Sequence, residues 1–165
     1  MAIVKLVDEP YYNDNALNLM FHYLEDQDNL INDTSNLSNF MGGCNFLLYD
    51  NIDTDTVADQ FQYVKNHFHK PDGKQLIHLI VSFPSNELNS MNKAKPFADF
   101  ICNQFCNKYQ ILYAIHHKPN NLHIHFIFNT VSFVDGYYIY NTEGFSATIR
   151  NYINYYFGKN IARFA

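Results

Sequence analysis

The sequence predicts an α+β domain in which helices cover one antiparallel sheet. Three observations carry that prediction. Stretches whose side chains alternate with period two interleave with stretches whose apolar residues recur at helical spacing. The turn-forming runs KPNN (118–121) and Asp135-Gly136 each join two strands closely enough to make an antiparallel hairpin. QLIHLIVSFP, residues 75–84, is apolar on both faces, as a strand in the middle of a sheet must be.

Taken in order, the first strand is expected over Ala2 to Val7. Asp14 or Asn15 can cap a helix running to about Glu25, with Leu17, Met20, Phe21 and Leu24 on its apolar side. Residues 26–43, rich in Asn, Asp and Ser and ending in Gly42-Gly43, read as a long loop, and Cys44 to Tyr49 as a short strand. Asp53 or Asp55 caps a helix carrying Val57, Phe61, Val64 and Phe68, which stops before Pro71-Asp72-Gly73. After the central strand comes a helix between about Ser90 and Lys108, with Phe97, Ile101 and Phe105 inward and Pro96 in its first turns. YQILYAIHH (109–117) and NLHIHFIFN (121–129) are the next two strands. Asp135-Gly136 turns into a strand over Tyr137 to Tyr140. A last helix runs from about Gly144 to Phe157 on Phe145, Ile149, Tyr152, Ile153 and Tyr156.

Composition narrows the class of protein. The 165 residues make a single domain, 1–165, large enough to bury a real core. No apolar run is long enough to span a bilayer. The start, MAIVKLVDEP, lacks the layout of a signal peptide, so a cytoplasmic home is expected. Cys44, Cys102 and Cys106 are odd in number and lack paired spacing. Cys102 and Cys106, four apart on a helix, are expected to pack rather than bind metal. A formal net charge of −5 argues mildly against a nucleic-acid partner, although a local basic stripe can operate within an acidic chain.

The chemistry concentrates in the two histidine strands. In residues 121–129, His123, His125, Ile127 and Asn129 point one way and Leu122, Ile124, Phe126 and Phe128 the other. If KPNN forms the hairpin loop, His116 pairs with His123 and His117 with Leu122. Directly opposed residues share a face with Cβ atoms roughly 5 Å apart. His116, His123 and His125 then converge as three imidazole ligands for a divalent ion, with open positions for oxygen. A slip of one residue would bring in His117 in place of His116. On its own, an H-x-H pair fits a polar solvent-facing strand as well.

FHYLED (21–26), HLIVSFPSNE (78–87), YAIHHKPNNLHIHFIFN (113–129) and VSFVDGYYIY (131–140) together resemble the relaxase, or mobilisation-nuclease, family of plasmids and conjugative elements, within the HUH endonucleases. The resemblance spans nearly the whole chain, and its specific part is the spacing of His116, His123, His125 and Asn129. It implies an HUH-endonuclease-like fold and a bacterial, cytoplasmic enzyme that nicks one DNA strand at a transfer origin and later religates it. Tyr23 matches the nucleophile, forming a 5′-phosphotyrosyl link. His22 is the rival nucleophile, because some branches use histidine there; Tyr11 and Tyr12 are weaker candidates. The implied cofactor is a divalent ion, Mn²⁺ or Mg²⁺ first and Zn²⁺ as the alternative. Ser82 matches a hydroxyl that helps hold DNA near the nick, and Asn129 a supporting residue behind the ligands. Single-stranded origin-of-transfer DNA is the implied partner, with accessory DNA-binding and coupling proteins beside it.

The sequence departs from the family pattern in three ways. Lys118 stands where an aspartate usually follows the first histidine, Asn121 where many members carry another histidine, and the chain is acidic. Aromatic stacking by Tyr137, Tyr138 and Tyr140 could supply part of the DNA affinity. The chain also ends soon after the core, without the long tail of many relaxases. Two other readings stay open. One is an HUH replication initiator or transposase, whose tyrosine often follows the histidines. The other is a non-catalytic member that binds DNA or a partner. His67, His69 and His78 are assigned no role.

Overall fold

The computed structural model describes residues 2–7, 11–13, 15–25, 41–46, 53–84, 90–118, 121–158 and 163–164. In chain order the elements are β1 (Ile3–Leu6), α1 (Ala16–Glu25), β2 (Met41–Cys44), α2 (Thr54–His67), β3 (Leu76–Pro84), α3 (Met91–Asn103), β4 (Ile111–Lys118), β5 (Asn121–Asn129), α4 (Thr142–Phe157) and β6 (Arg163–Phe164). The strands form one sheet in the order β2-β4-β5-β3-β1-β6, antiparallel except where β6 joins β1. The expected α+β class holds, and β3, flanked by β5 and β1, is an inner strand as its two apolar faces require.

Helices cover both faces of the sheet. On one, Phe97 and Ile101 of α3 and Ile149 and Ile153 of α4 pack on Leu79, Val81, Ile124, Phe126 and Phe128. On the other, Leu17, Phe21 and Leu24 of α1 and Val57 and Phe61 of α2 pack on Leu76, Leu112, Ala114 and Ile127. Phe21 meets Phe61 edge-on with ring centroids 5.4 Å apart. Such a pair adds roughly 0.5–1.5 kcal/mol beyond its area burial. The histidine strand is therefore buried on both sides, and the polar residues of its second face lie beneath α1 and α2.

Local chemistry sets the helix ends. Asp53, not Asp55, caps α2, its carboxylate accepting from the Asp55 amide and the Thr56 hydroxyl. Asn141 Oδ1 accepts from Gly144 N at 2.8 Å, so α4 starts before the expected Gly144. Gly158, at φ 63°, ends it in the left-handed conformation that glycine adopts without steric cost. Asp14, the alternative cap for α1, lies outside the described residues, as do loop residues 26–40 and the Pro119-Asn120 tip of the histidine hairpin.

Three sequence expectations need correction. Met41 to Cys44 form a strand, whereas the expected one began at Cys44, where Asn45 and Phe46 bend instead; residues 47–49 fall outside the description. The two glycines that suggested a loop are there for close approach. A Cβ on Gly42 would sit 2.3 Å from the Tyr113 hydroxyl, and one on Gly43 2.0 Å from the Ile111 carbonyl. Tyr137 to Tyr140 form no strand, only a bridge between Val131 and Tyr138. The turn is drawn tight by Gly136 N donating to Ser132 O, and Asn141 then caps α4 before pairing can extend. Finally, the histidine hairpin pairs through Lys118 and Asn121, so its loop is two residues rather than four. His116 still pairs with His123 and His117 with Leu122, so the expected register survives.

Candidate metal and nucleophile site

The ladder between β4 and β5 pairs His116 with His123, Ala114 with His125, and His117 with Leu122. Opposed residues share a face, and the three predicted ligands do converge. One ring nitrogen from each of His116, His123 and His125 lies within 4.8 Å of the others. Ring centroids are 4.5 Å apart for His116–His125, 5.1 Å for His123–His125 and 5.3 Å for His116–His123. The small Ala114 opposite His125 leaves space for these rings. His116 and His125 are buried and His123 is half-buried, so the cluster opens on the His123 side. Three imidazoles on a rigid hairpin are a donor set suited to a divalent transition ion. Among the described residues the metal-competent group consists of these histidines, with no carboxylate in it.

Two contacts fix the rings. His116 Nε2 donates to Leu24 O at 3.3 Å, satisfying a carbonyl in the last turn of α1 and tying that helix end to β4. His125 Nδ1 lies 2.8 Å from His78 Nε2, and His78 Nδ1 lies 3.0 Å from the Tyr11 hydroxyl. His78 also stacks on His125, with centroids 5.0 Å apart and planes 25° apart. Burial, with smaller contributions from the neighbouring His116 and Lys5 charges, pulls the His78 pKa down to about 3, so the ring is neutral near pH 7. A neutral His78 accepting from His125 Nδ1–H at one nitrogen donates to Tyr11 with the other. The chain Tyr11–His78–His125 thus leaves His125 Nε2 as the nitrogen that would meet an ion, an orientation that an outer carboxylate or carbonyl gives most metal-bound histidines. Sequence reading assigned His78 nothing. A single histidine on an apolar strand carries no local signal, and its partner is 47 residues away.

Tyr23 is 45% exposed on α1, and its ring centroid lies 5.8 Å from that of His125 and 6.4 Å from that of His116. Met20, Phe21 and Leu24 bury the other side of the helix. His22 turns elsewhere: its ring nitrogens lie 3.5 Å from Glu25 Oε2 and 3.3 Å from Asp55 Oδ1, at the start of α2. Of the two nucleophile candidates, the fold brings Tyr23 to the imidazoles. Tyr11 is engaged with His78, and Tyr12, 61% exposed, lines a separate cavity.

Ser82 pairs with His123 across β3 and β5 and shares its face at the half-buried edge of the cluster. Asn129 shares the face too, but stands four residues beyond His125, about 13 Å along the strand. Its amide nitrogen donates to Phe61 O at 3.0 Å and Gln110 Oε1 at 2.8 Å, and its Oδ1 accepts from Val131 N at 3.2 Å. These bonds fasten the far end of β5 to α2. The cysteines are free thiols, with Cys102 in the core as expected.

No helix among the described residues is long and apolar enough to cross a membrane. No curated protein and no solved structure matches the chain significantly. Residues 23–154 match the family described as Relaxase: MobA/VirD2-like, nuclease domain. The match begins at Tyr23 and takes in all three histidines.

Proposed function

Because the chain belongs to the MobA/VirD2-like relaxase nuclease family, we propose that it nicks single-stranded origin DNA through Tyr23, beside a divalent ion held by His116, His123 and His125. The observation that carries this reading is the Tyr23 ring poised over the three-histidine cluster. When bound, the ion supplies positive charge for the non-bridging phosphate oxygens. Mn²⁺ or Mg²⁺ suits that task best, with Zn²⁺ the alternative for a three-imidazole set.

The chain's own residues do the rest. The bond from His116 to Leu24 O holds the end of α1, and with it Tyr23, against the ligand strand. His78 and Tyr11 hold His125 in one orientation. Tyr23 Oη attacks the phosphorus as its proton leaves to solvent, which its exposure permits. A new P–O bond joins the 5′ phosphate to the phenol, the bond to the 3′ oxygen breaks, and the released 3′ oxygen takes up a proton. Religation is the reverse, with the 3′-hydroxyl attacking the phosphotyrosine. Ser82, which pairs with His123, would hydrogen-bond a neighbouring phosphate. Accessory DNA-binding and coupling proteins would act on the assembled complex.

Incubating the protein with single-stranded oligonucleotides from the origin of its own genetic element, with Mn²⁺ or Mg²⁺, tests this. A covalent adduct should form, survive in His22→Ala and vanish in Tyr23→Phe. A second reading, binding without cleavage, draws on the lack of a carboxylate in the described cluster and the net charge of −5. It requires retention of DNA with no adduct under any metal.

A further inference from the structure

Away from the histidines, a cavity of about 600 Å³ opens between the turn that follows α2 and the segment that leads into α4. Tyr12, Tyr138 and Tyr140 line it together with Lys70 and Lys74. Tyr12 and Tyr140 are 61% and 76% exposed. The Tyr138 and Tyr140 rings lie 4.8 Å apart. Large aromatic faces left in water are unfavourable unless something covers them. The wall behind them is fixed: the Tyr138 hydroxyl donates to Lys74 O at 3.1 Å, and Thr130 Oγ1 donates to the same carbonyl at 2.7 Å. Lys70 is pinned by a hydrogen bond to Gly136 O. Asp72 is the one acidic side chain among the described lining residues, so the cavity is locally basic in an acidic protein.

The cavity connects to the histidine site through two adjacent residues. Tyr11 faces inward to His78, and its carbonyl accepts from Gln75 N; Tyr12, the next residue, lines the cavity. Lys74 precedes Ile80, the ladder partner of His125, by six residues, about 20 Å of extended chain, which a few nucleotides of single strand would span.

We propose that this cavity is a nucleotide subsite, in which an unpaired base stacks on Tyr138, Tyr140 or Tyr12 while its phosphate lies at Lys70 and Lys74. It rests on the reading of the histidine site as the place where single-stranded DNA is cut. The chemistry selects the ligand class: an aromatic face suits any unpaired base but no base inside a duplex, and the lysines suit the backbone. The volume is in the range that holds one small, well-buried ligand. The subsite therefore grips the strand a few nucleotides from the scissile phosphate, in a sequence-tolerant way.

The test is fluorescence-anisotropy titration of the full chain with labelled oligothymidylates of roughly 4 to 16 nucleotides, in EDTA so that no metal contributes. Tyr140→Ala, at an exposed position that the fold does not need, should weaken binding roughly 5- to 100-fold, and Tyr140→Phe should restore most of it because the ring remains. Lys74→Ala should lower the slope of log affinity against log salt by roughly 0.7. If the wild type binds the single strand and both alanine variants bind it equally well, the subsite is overturned and the reading of the histidine site stands. Equal weakening of duplex and single-strand binding by Tyr140→Ala also overturns it. A wild type that binds no oligonucleotide overturns the reading of the histidine site, and the subsite with it.

Discussion

Lys65 on α2 is inaccessible to solvent, and its described hydrogen bond is from Nζ to Thr130 Oγ1 at 2.6 Å. Burial pulls its pKa from the usual 10.5 to about 7. For a basic group lowered in the folded state, the cost to stability is complete below the folded value. It is relieved as pH rises toward the unfolded value, because the unfolded chain then loses its proton too. The drop corresponds to roughly 5 kcal/mol, with a slope of roughly 1.4 kcal/mol per pH unit between about pH 7 and 10.5. Lys65→Met keeps the length and volume while removing the charge, and losing the bond to Thr130 offsets roughly 1 kcal/mol. The variant should therefore be more stable than the wild type by roughly 3 kcal/mol near pH 7.5, and about equal to it near pH 9.5. The chain has no tryptophan, so urea unfolding is best followed by far-ultraviolet circular dichroism. A stability difference that does not change between the two pH values would refute the reasoning, and would mean that Lys65 keeps its charge at little cost.

Three further outcomes follow from particular contacts. His78→Leu removes the acceptor for His125 Nδ1 and should weaken Mn²⁺ or Zn²⁺ binding, read by calorimetry, roughly 10- to 100-fold, with Tyr11→Phe in the same direction and smaller. Unchanged affinity would mean that His125 is oriented by packing alone. Asn129→Ala strips the bonds to Phe61 O and Gln110 Oε1 and should cost roughly 1–3 kcal/mol in denaturant unfolding, leaving metal affinity at the wild-type value. Gly42→Ala pushes a methyl into Tyr113, which is buried with its hydroxyl donating to Asp99 at 2.7 Å. It should destabilise by roughly 1–3 kcal/mol, whereas a loop glycine would tolerate the change.

What the sequence made legible was whatever is decided locally. The capping carboxylate of Asp53, the helical spacing of Val57, Phe61 and Val64, and the period-two pattern of residues 121–129 each act within a few neighbours. The convergence of His116 with His123 and His125 was also readable, because a short turn fixes antiparallel register and register fixes the face. What stayed hidden depends on partners far along the chain. Gly42 looked like a loop residue until Tyr113 of the adjacent strand occupied the space above it. His78 gained a role only when β3 lay beside β5. Asn129 matched the histidine face by alternation, yet its bonding partners come from α2 and Gln110. The two-residue β6 is too short to carry any periodic signal.

The bond between protein and DNA can be observed directly. After incubation with a cognate single strand and Mn²⁺, peptide mapping by mass spectrometry should find a 5′-nucleotide phosphate attached to Tyr23, and no adduct on any peptide of Tyr23→Phe or of a His123→Ala, His125→Ala double variant. An adduct on His22, or one that persists without Tyr23, would contradict the assignment of the nucleophile and of the ring poised over the histidines.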